Sequence, residues 1–251
     1  MNQKRIIPVL LVDNGRLVKT KSFQEKVYLG DPINTINIFN EKEVDEVIVL
    51  DISATKSKSG ANFDLVESLY SECFMPLAYG GGISSMEDIE ALFKIGIEKV
   101  VINHAKNEIG LIESAARRYG SQSVVGAIDI IEVNKDKLVY LHDSKKAVQN
   151  CPISVAKELV VRGVGEIFVN FVDRDGLRIG YDVDYIDEMA KALTVPLIAC
   201  GGAAEFKDLV RLANQTEVSA AAAGSVFALY GKYDAPLVMY PTYEYLKKHL
   251  N

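Results

Sequence analysis

Short β-branched and apolar runs alternate eight times with amphipathic stretches along this chain. That alternation constrains the fold more than any other feature. The runs fall at 5–12, 46–51, 76–79, 98–102, 123–129, 165–170, 196–199 and 218–222. The amphipathic stretches fall near 32–41, 62–72, 85–95, 107–118, 152–162, 183–192, 205–213 and 241–249. The first set predicts strands and the second predicts helices. The strands read as nearly unbroken hydrocarbon, as parallel strands buried on both faces do. Eight such units predict an α/β fold, a (β/α)8 TIM barrel. No linker or low-complexity segment interrupts the chain, so its 251 residues predict a single barrel over 1–251.

Two glycine-rich turns divide the pattern. Gly80-Gly81-Gly82 ends Pro-Leu-Ala-Tyr, and Gly201-Gly202 ends Pro-Leu-Ile-Ala-Cys. Each follows a strand and precedes a helix. Backbone N–H groups at such a turn can surround a phosphate, because no Cβ blocks the approach. A tight turn without a ligand is the plainer reading. Asn103-His104 after strand 4 answers Gly224-Ser225 after strand 8 at nearly the same interval. The barrel is therefore expected to carry a two-fold internal repeat, with halves of approximately 1–120 and 121–251.

Three segments depart from the simple alternation. Residues 13–31 read as a long loop after strand 1, and loops of that length are usually functional or disordered. Residues 131–146 contain a small hairpin pattern after strand 5. Residues 224–229 read as a short extra helix after strand 8, a place where barrels often hold a phosphate.

Composition removes several function classes. The net charge of −6 argues against a general nucleic-acid surface. No apolar run is long enough to span a membrane, and the first residues lack the apolar stretch of a signal peptide. Cys73, Cys151 and Cys200 are odd in number and scattered, as are His104, His142 and His249. Neither a disulfide framework nor a metal site is expected, no cofactor is implied, and a cytoplasmic location fits.

Catalytic groups of this fold sit at the C-terminal ends of the strands. That selects Asp13, Lys19, Asp51, His104, Asp129, Asn170, Asp173, Asp175 and Cys200. Asp129 ends an apolar run, where a partly desolvated carboxylate suits proton transfer; a helix cap or loop salt bridge is the alternative. Asp175 either partners Asp129 or belongs to an ordinary Asp-Gly turn. Lys19 either reaches a phosphate or carbonyl, or is solvated. One phosphate cup would be Gly82 with Asn103 and His104. The other would be Gly176 and Gly202 with Gly224 and Ser225. At the opposite end, Arg5, Glu46, Lys99 and Glu166 stand near the starts of strands 1, 2, 4 and 6. Inward-pointing charges there must pair. They form either scattered surface salt bridges or a polar plug around a pore.

These stretches together resemble the HisF family, the cyclase subunits of imidazole glycerol phosphate synthase. The resemblance is carried by Lys-Arg-Ile-Ile (4–7), Gly-Arg-Leu-Val-Lys (15–19), Val-Asp-Glu-Val-Ile-Val-Leu-Asp-Ile (44–52), Gly-Gly-Gly-Ile (80–83), Glu-Lys-Val-Val-Ile-Asn (98–103), Val-Gly-Ala-Ile-Asp (125–129), Asp-Arg-Asp-Gly (173–176), Cys-Gly-Gly-Ala (200–203) and Gly-Ser-Val-Phe (224–227). It runs nearly end to end. It implies a doubled barrel for a substrate with two phosphates and a HisH-like glutaminase docked on the N-terminal face. Ammonia would pass the Arg5, Glu46, Lys99 and Glu166 ring as through a gate.

The same resemblance exposes a departure. The family uses an aspartate at the end of strand 1 and another at the end of strand 5. Asp129 is the second, but the first position is Leu11. A leucine neither donates nor accepts a proton. Asp13 shares its face of the strand but stands higher. His104 stands where the family has threonine. Ile-Pro-Val-Leu-Leu (7–11), Leu-Val-Lys-Thr (17–20) and Gly-Asp-Pro-Ile-Asn (30–34) resemble a HisF-like branch linked to acetamidino modification of surface sugars. That branch implies an ATP-dependent sugar amidotransferase as a further partner and a phosphorylated small molecule or nucleotide sugar as substrate. The expected function is ammonia delivery for nitrogen transfer to a sugar. A histidine-pathway cyclase using Asp13, or a non-catalytic ammonia conduit and glutaminase activator, are the alternatives.

Overall fold

The computed structural model describes residues 4–57, 60–103, 109–142, 144–231 and 233–250. Eight parallel strands close into a barrel. In chain order they are β1 (Arg5–Asp13), β4 (Val47–Asp51), β5 (Leu77–Gly80), β6 (Lys99–Asn103), β7 (Val124–Val133), β10 (Glu166–Phe171), β11 (Leu197–Cys200) and β12 (Ala220–Ala223). Each pairs with the next, and β12 returns to β1 through Arg5↔Ala220. The predicted strands and helices begin within two residues of those observed.

Two apolar layers follow from the period-two alternation of each strand. Inward-facing Ile7, Val9, Ile48, Ala78, Val101, Val125, Ala127, Phe168, Ile198 and Ala222 fill the barrel, with Leu11 and Leu50 above them. Outward-facing Ile6, Val47, Tyr79, Val100 and Ile167 pack under the helices. The helices present matching stripes. In α1 (Pro32–Glu41), Ile36 and Phe39 are fully buried, and each contributes about 1.5–3 kcal/mol. Asp31 caps this helix by accepting from the N–H of Asn34, and Pro32 stands at its first turn.

The segment expected as a long loop, 13–31, is instead a hairpin. Strands β2 (Arg16–Lys21) and β3 (Glu25–Gly30) extend the sheet, with Leu11 opposite Val18 and Asp13 opposite Arg16. The cause is Asn14-Gly15, both at positive φ, which turns β1 directly back on itself. Lys19 and Thr20 disguise the strand in the sequence, yet both are buried. The second predicted hairpin is present: β7 pairs with β8 (Asp136–Leu141), which pairs with β9 (Lys146–Val148). The predicted extra helix is also present as α9 (Ser225–Ala228). One element was not expected. After β4 the chain enters α2 (Ile52–Ser57), capped by Asp51, whose Oδ1 accepts from Ser53 N at 2.9 Å and Ala54 N at 3.1 Å.

The remaining helices are α3 (Phe63–Glu72), α4 (Met86–Ile95), α5 (Ile109–Tyr119), α6 (Pro152–Val161), α7 (Val183–Ala192), α8 (Phe206–Gln215) and α10 (Tyr243–His249). α4 and α8 each start with a capping box, Ser85 with Asp88 and Glu205 with Asp208. No helix is long and apolar enough to cross a membrane among the described residues.

Candidate functional site

At the mouth, the strand register sets corresponding rungs side by side. Leu11 lies beside Leu50, and Asp129 lies beside Asn170. One side of the mouth is therefore hydrocarbon and the other is polar. Asp129 is buried, and its Oδ2 accepts from Asn103 Nδ2 at 2.9 Å. His142, carried over the mouth at the end of β8, places Nδ1 3.6 Å from the same oxygen. Sequence reasoning left His142 among scattered histidines. The signal was available in the alternation of Leu138, Tyr140 and His142 along a strand paired with β7.

Lys19 reaches into the mouth from β2. Its Nζ donates to Asp175 Oδ1 at 2.6 Å, and Thr20 Oγ1 donates to Asp175 Oδ2 at 3.0 Å. All three residues are buried. Lys19 is thus paired rather than solvated, and Asp175 does more than turn the chain. Its partner is Lys19, not Asp129. Ser22 N donates to the Asp175 carbonyl at 2.9 Å, and a Cβ on Gly176 would stand 2.3 Å from the Thr20 carbonyl oxygen. The first hairpin is thereby pressed onto the loop after β10.

Asp13 is held elsewhere. Its carboxylate accepts from Lys26 of β3 and from Asn14 Nδ2. Asp51 caps α2, as described above, and so belongs to the helix rather than to the mouth. Cys200 is buried beneath the mouth, and its thiol is pushed up to about 12, first by burial and then by the Asp175 charge. It is a neutral thiol at ordinary pH.

The glycine turns are shaped by close loop packing. A Cβ on Gly82 would stand 2.2 Å from the Gly60 carbonyl oxygen, and one on Gly202 would stand 2.1 Å from that of Gly180. Both glycines have left-handed φ, 71° and 115°. Their lack of a side chain is thus required by the neighbouring loop. Gly224 differs. A Cβ there would lie 3.4 Å from Lys19 Nζ, and the next residue, Ser225, buries a hydroxyl with no partner among the described residues. Asn170 Oδ1 and Asp173 Oδ1 are likewise buried and unpartnered among them. Unmatched buried polar atoms are costly unless a ligand or water answers them. His104 lies outside the described residues.

At the other end of the barrel the four charges close a ring. Arg5 Nη1 donates to Glu46 and Nη2 to Glu166. Lys99 Nζ donates to Glu46 Oε1 at 2.7 Å and to Glu166 Oε2 at 2.9 Å. Burial lowers the proton affinity of the Arg5 guanidinium, but the two carboxylates outweigh it and hold the group above its usual range. These are one connected network across the lumen, not scattered surface pairs. Among the described residues no cluster has metal-ligand composition.

Comparisons with known proteins agree with this architecture. A model of the family described as histidine biosynthesis protein matches residues 5–234. A Pseudomonas aeruginosa protein, provisionally named imidazole glycerol phosphate synthase subunit hisF2, is 46% identical over 96% of this chain and 97% of its own length. A Leptospira interrogans protein, provisionally named as the HisF subunit, is 40% identical over 97% of both chains. The Leuconostoc mesenteroides imidazole glycerol phosphate synthase subunit HisF is 38% identical over 89% of each. The closed barrel, the end-to-end family match and the identity of these relatives make this chain a member of the HisF family.

Proposed function

We propose that this protein is the synthase barrel of a glutamine amidotransferase, receiving ammonia at the charged ring and releasing it at the mouth for nitrogen transfer to a sugar. The single observation that carries this reading is Leu11, packed beside Leu50 on the rung that corresponds to Asp129 and Asn170. Two carboxylates facing each other can divide acid and base roles, whereas one facing hydrocarbon cannot. Asp13 is not a ready substitute, because Lys26 and Asn14 already hold its carboxylate. The histidine-pathway alternative draws on the name of the Leuconostoc relative. It requires a second acid at the mouth.

Several roles follow within this reading. Arg5, Glu46, Lys99 and Glu166 form the gate, above which an alanine-rich lumen leads to Asp129. A HisH-like glutaminase docks on the ring end, and an ATP-dependent amidotransferase supplies the sugar acceptor. Lys19, Gly224 and Ser225 form the better-equipped anion site, since an ammonium group held by Asp175 meets, at one turn, a buried hydroxyl without a partner among the described residues. Gly176 and Gly202 shape the loops around it, and Gly82 with Asn103 and His104 would mark its counterpart. A division into half-barrels is supported by one interval: α1 and α6, α3 and α7, and α4 and α8 each begin 120 residues apart, at 32 and 152, 63 and 183, and 86 and 206. Three free cysteines fit a reducing cytoplasm.

The test is reconstitution with the glutaminase, the ATP-dependent amidotransferase, an N-acetylated nucleotide sugar and glutamine labelled with ¹⁵N at its amide. The label is expected in an acetamidino group. Label recovered instead in imidazole glycerol phosphate, when the ribulosyl formimino substrate of histidine synthesis is offered, would sink the reading.

A further inference from the structure

The groups placed to move a proton around Asp129 are unevenly distributed. Leu11 and Leu50 face them with hydrocarbon. Against Asp129 stand Asn103 at 2.9 Å and His142 at 3.6 Å, both measured to Oδ2. Asn103 donates a hydrogen bond and has no proton to exchange, whereas an imidazole can accept and return one. The geometry is built rather than incidental. β7 and β8 share one antiparallel ladder that begins at Ile130 opposite Val139, and Asp129 and His142 both stand just beyond that end of it. The hairpin carrying His142 is braced by Tyr140, whose ring meets Phe23 of the first hairpin edge-on at 6.1 Å. The Asp129 side chain is 10% exposed and that of His142 26%, so the pair runs from the barrel wall towards solvent.

We propose that His142 is the proton partner of Asp129 in this chain, supplying a small part of the proton exchange that Leu11 cannot. This rests on the ammonia-delivery reading above. In the step it serves, the ammonia lone pair forms a C–N bond to a carbonyl carbon. The C=O π pair moves to oxygen, and one proton passes from nitrogen to that oxygen through Asp129 and His142. His142 acts through Asp129 and is a positioning residue in this sense. The other titratable groups that sense Asp129 are Tyr140 and Cys200. Both are shifted upward, first by burial; for Cys200 the Asp175 charge raises it further and Lys19 opposes it.

Two measurements on the full chain test this. The first uses an ammonium salt and the ribulosyl formimino substrate as probe, in the wild-type and Leu11→Asp backgrounds. His142→Gln is expected to lower wild-type turnover at least about tenfold with little change in KM. In Leu11→Asp it should cost less than about threefold, because a carboxylate again faces Asp129. Equal losses in both backgrounds, or no loss in the wild type, would overturn the proposal. The second is an NMR titration of the His142 ring, assigned by its loss in His142→Gln. Its midpoint should fall in Asp129→Asn, since removing the negative charge 3.6 Å from Nδ1 disfavours the imidazolium. An unchanged midpoint would overturn the pairing. If Leu11→Asp gains nothing over wild type, the functional reading fails, and the titration still decides the pair.

Discussion

Position 11 sets hydrocarbon against the polar side of the mouth. Leu11 keeps the rung filled and the lumen apolar, and its side chain cannot exchange a proton. Asp13 cannot recover that ability while Lys26 and Asn14 hold it. The cysteines give an independent check on this local electrostatics. Cys151 is exposed at the start of α6, where hydrogen bonding from the Ser154 backbone stabilises its thiolate and lowers its pKa. Cys73 and Cys200 are buried, and burial raises both. A lowered value means more thiolate at a given pH. Iodoacetamide should therefore modify Cys151 first, with a rate that rises through a midpoint below that of an ordinary thiol. The other two should react only on unfolding, as mass spectrometry of the labelled protein would show. Comparable labelling of folded Cys200 would contradict the burial described here. At this scale the sequence was informative about which residues line the mouth, because strand ends mark them. Their pairing was not legible. Lys19 with Asp175 joins residues 156 apart in the chain, and His142 meets Asp129 across the β7–β8 hairpin, so both pairs depend on how the hairpins fold.

Those hairpins are the elements that distinguish this barrel from eight plain βα units. The first was hidden because Lys19 and Thr20 break the apolar alternation, although Asn14-Gly15 carries the turn chemistry that makes it. The second was legible because the apolar run Leu138–Leu141 is set off from β7 by Asn134-Lys135, both at positive φ. The loops are fixed as firmly as the strands. Gly202→Ala must accommodate a Cβ 2.1 Å from the Gly180 carbonyl oxygen at a φ of 115°. It should cost at least about 2 kcal/mol in urea unfolding. Gly82→Ala should behave alike, since the Gly60 carbonyl oxygen would stand 2.2 Å away. Gly110→Ala has open space and should be neutral or slightly stabilising. A Gly202→Ala protein as stable as wild type would show that the glycine serves a ligand rather than the packing.

Across the whole molecule, a charged ring closes one end of the barrel, a half-polar mouth opens at the other, and an apolar lumen joins them. The barrel itself was legible from alternation alone, because each parallel strand must be hydrocarbon on both faces. The ring was legible as four residues but not as a closed network, since register decides which charges meet. Lys99→Met leaves Arg5 alone to answer two buried carboxylates. It should destabilise the fold by about 3–5 kcal/mol in denaturant unfolding. A loss below about 1 kcal/mol would mean that the ring is solvated and cannot control passage. The proposed function keeps ammonia handling in the barrel and denies its mouth a second acid at Leu11. Its most direct test is the rate at which the purified chain, given ammonium salt, cyclises the ribulosyl formimino substrate beside Leu11→Asp. Wild type should turn over at least about a hundredfold more slowly than the variant. Equal rates, with wild type as fast as an ordinary cyclase, would contradict it.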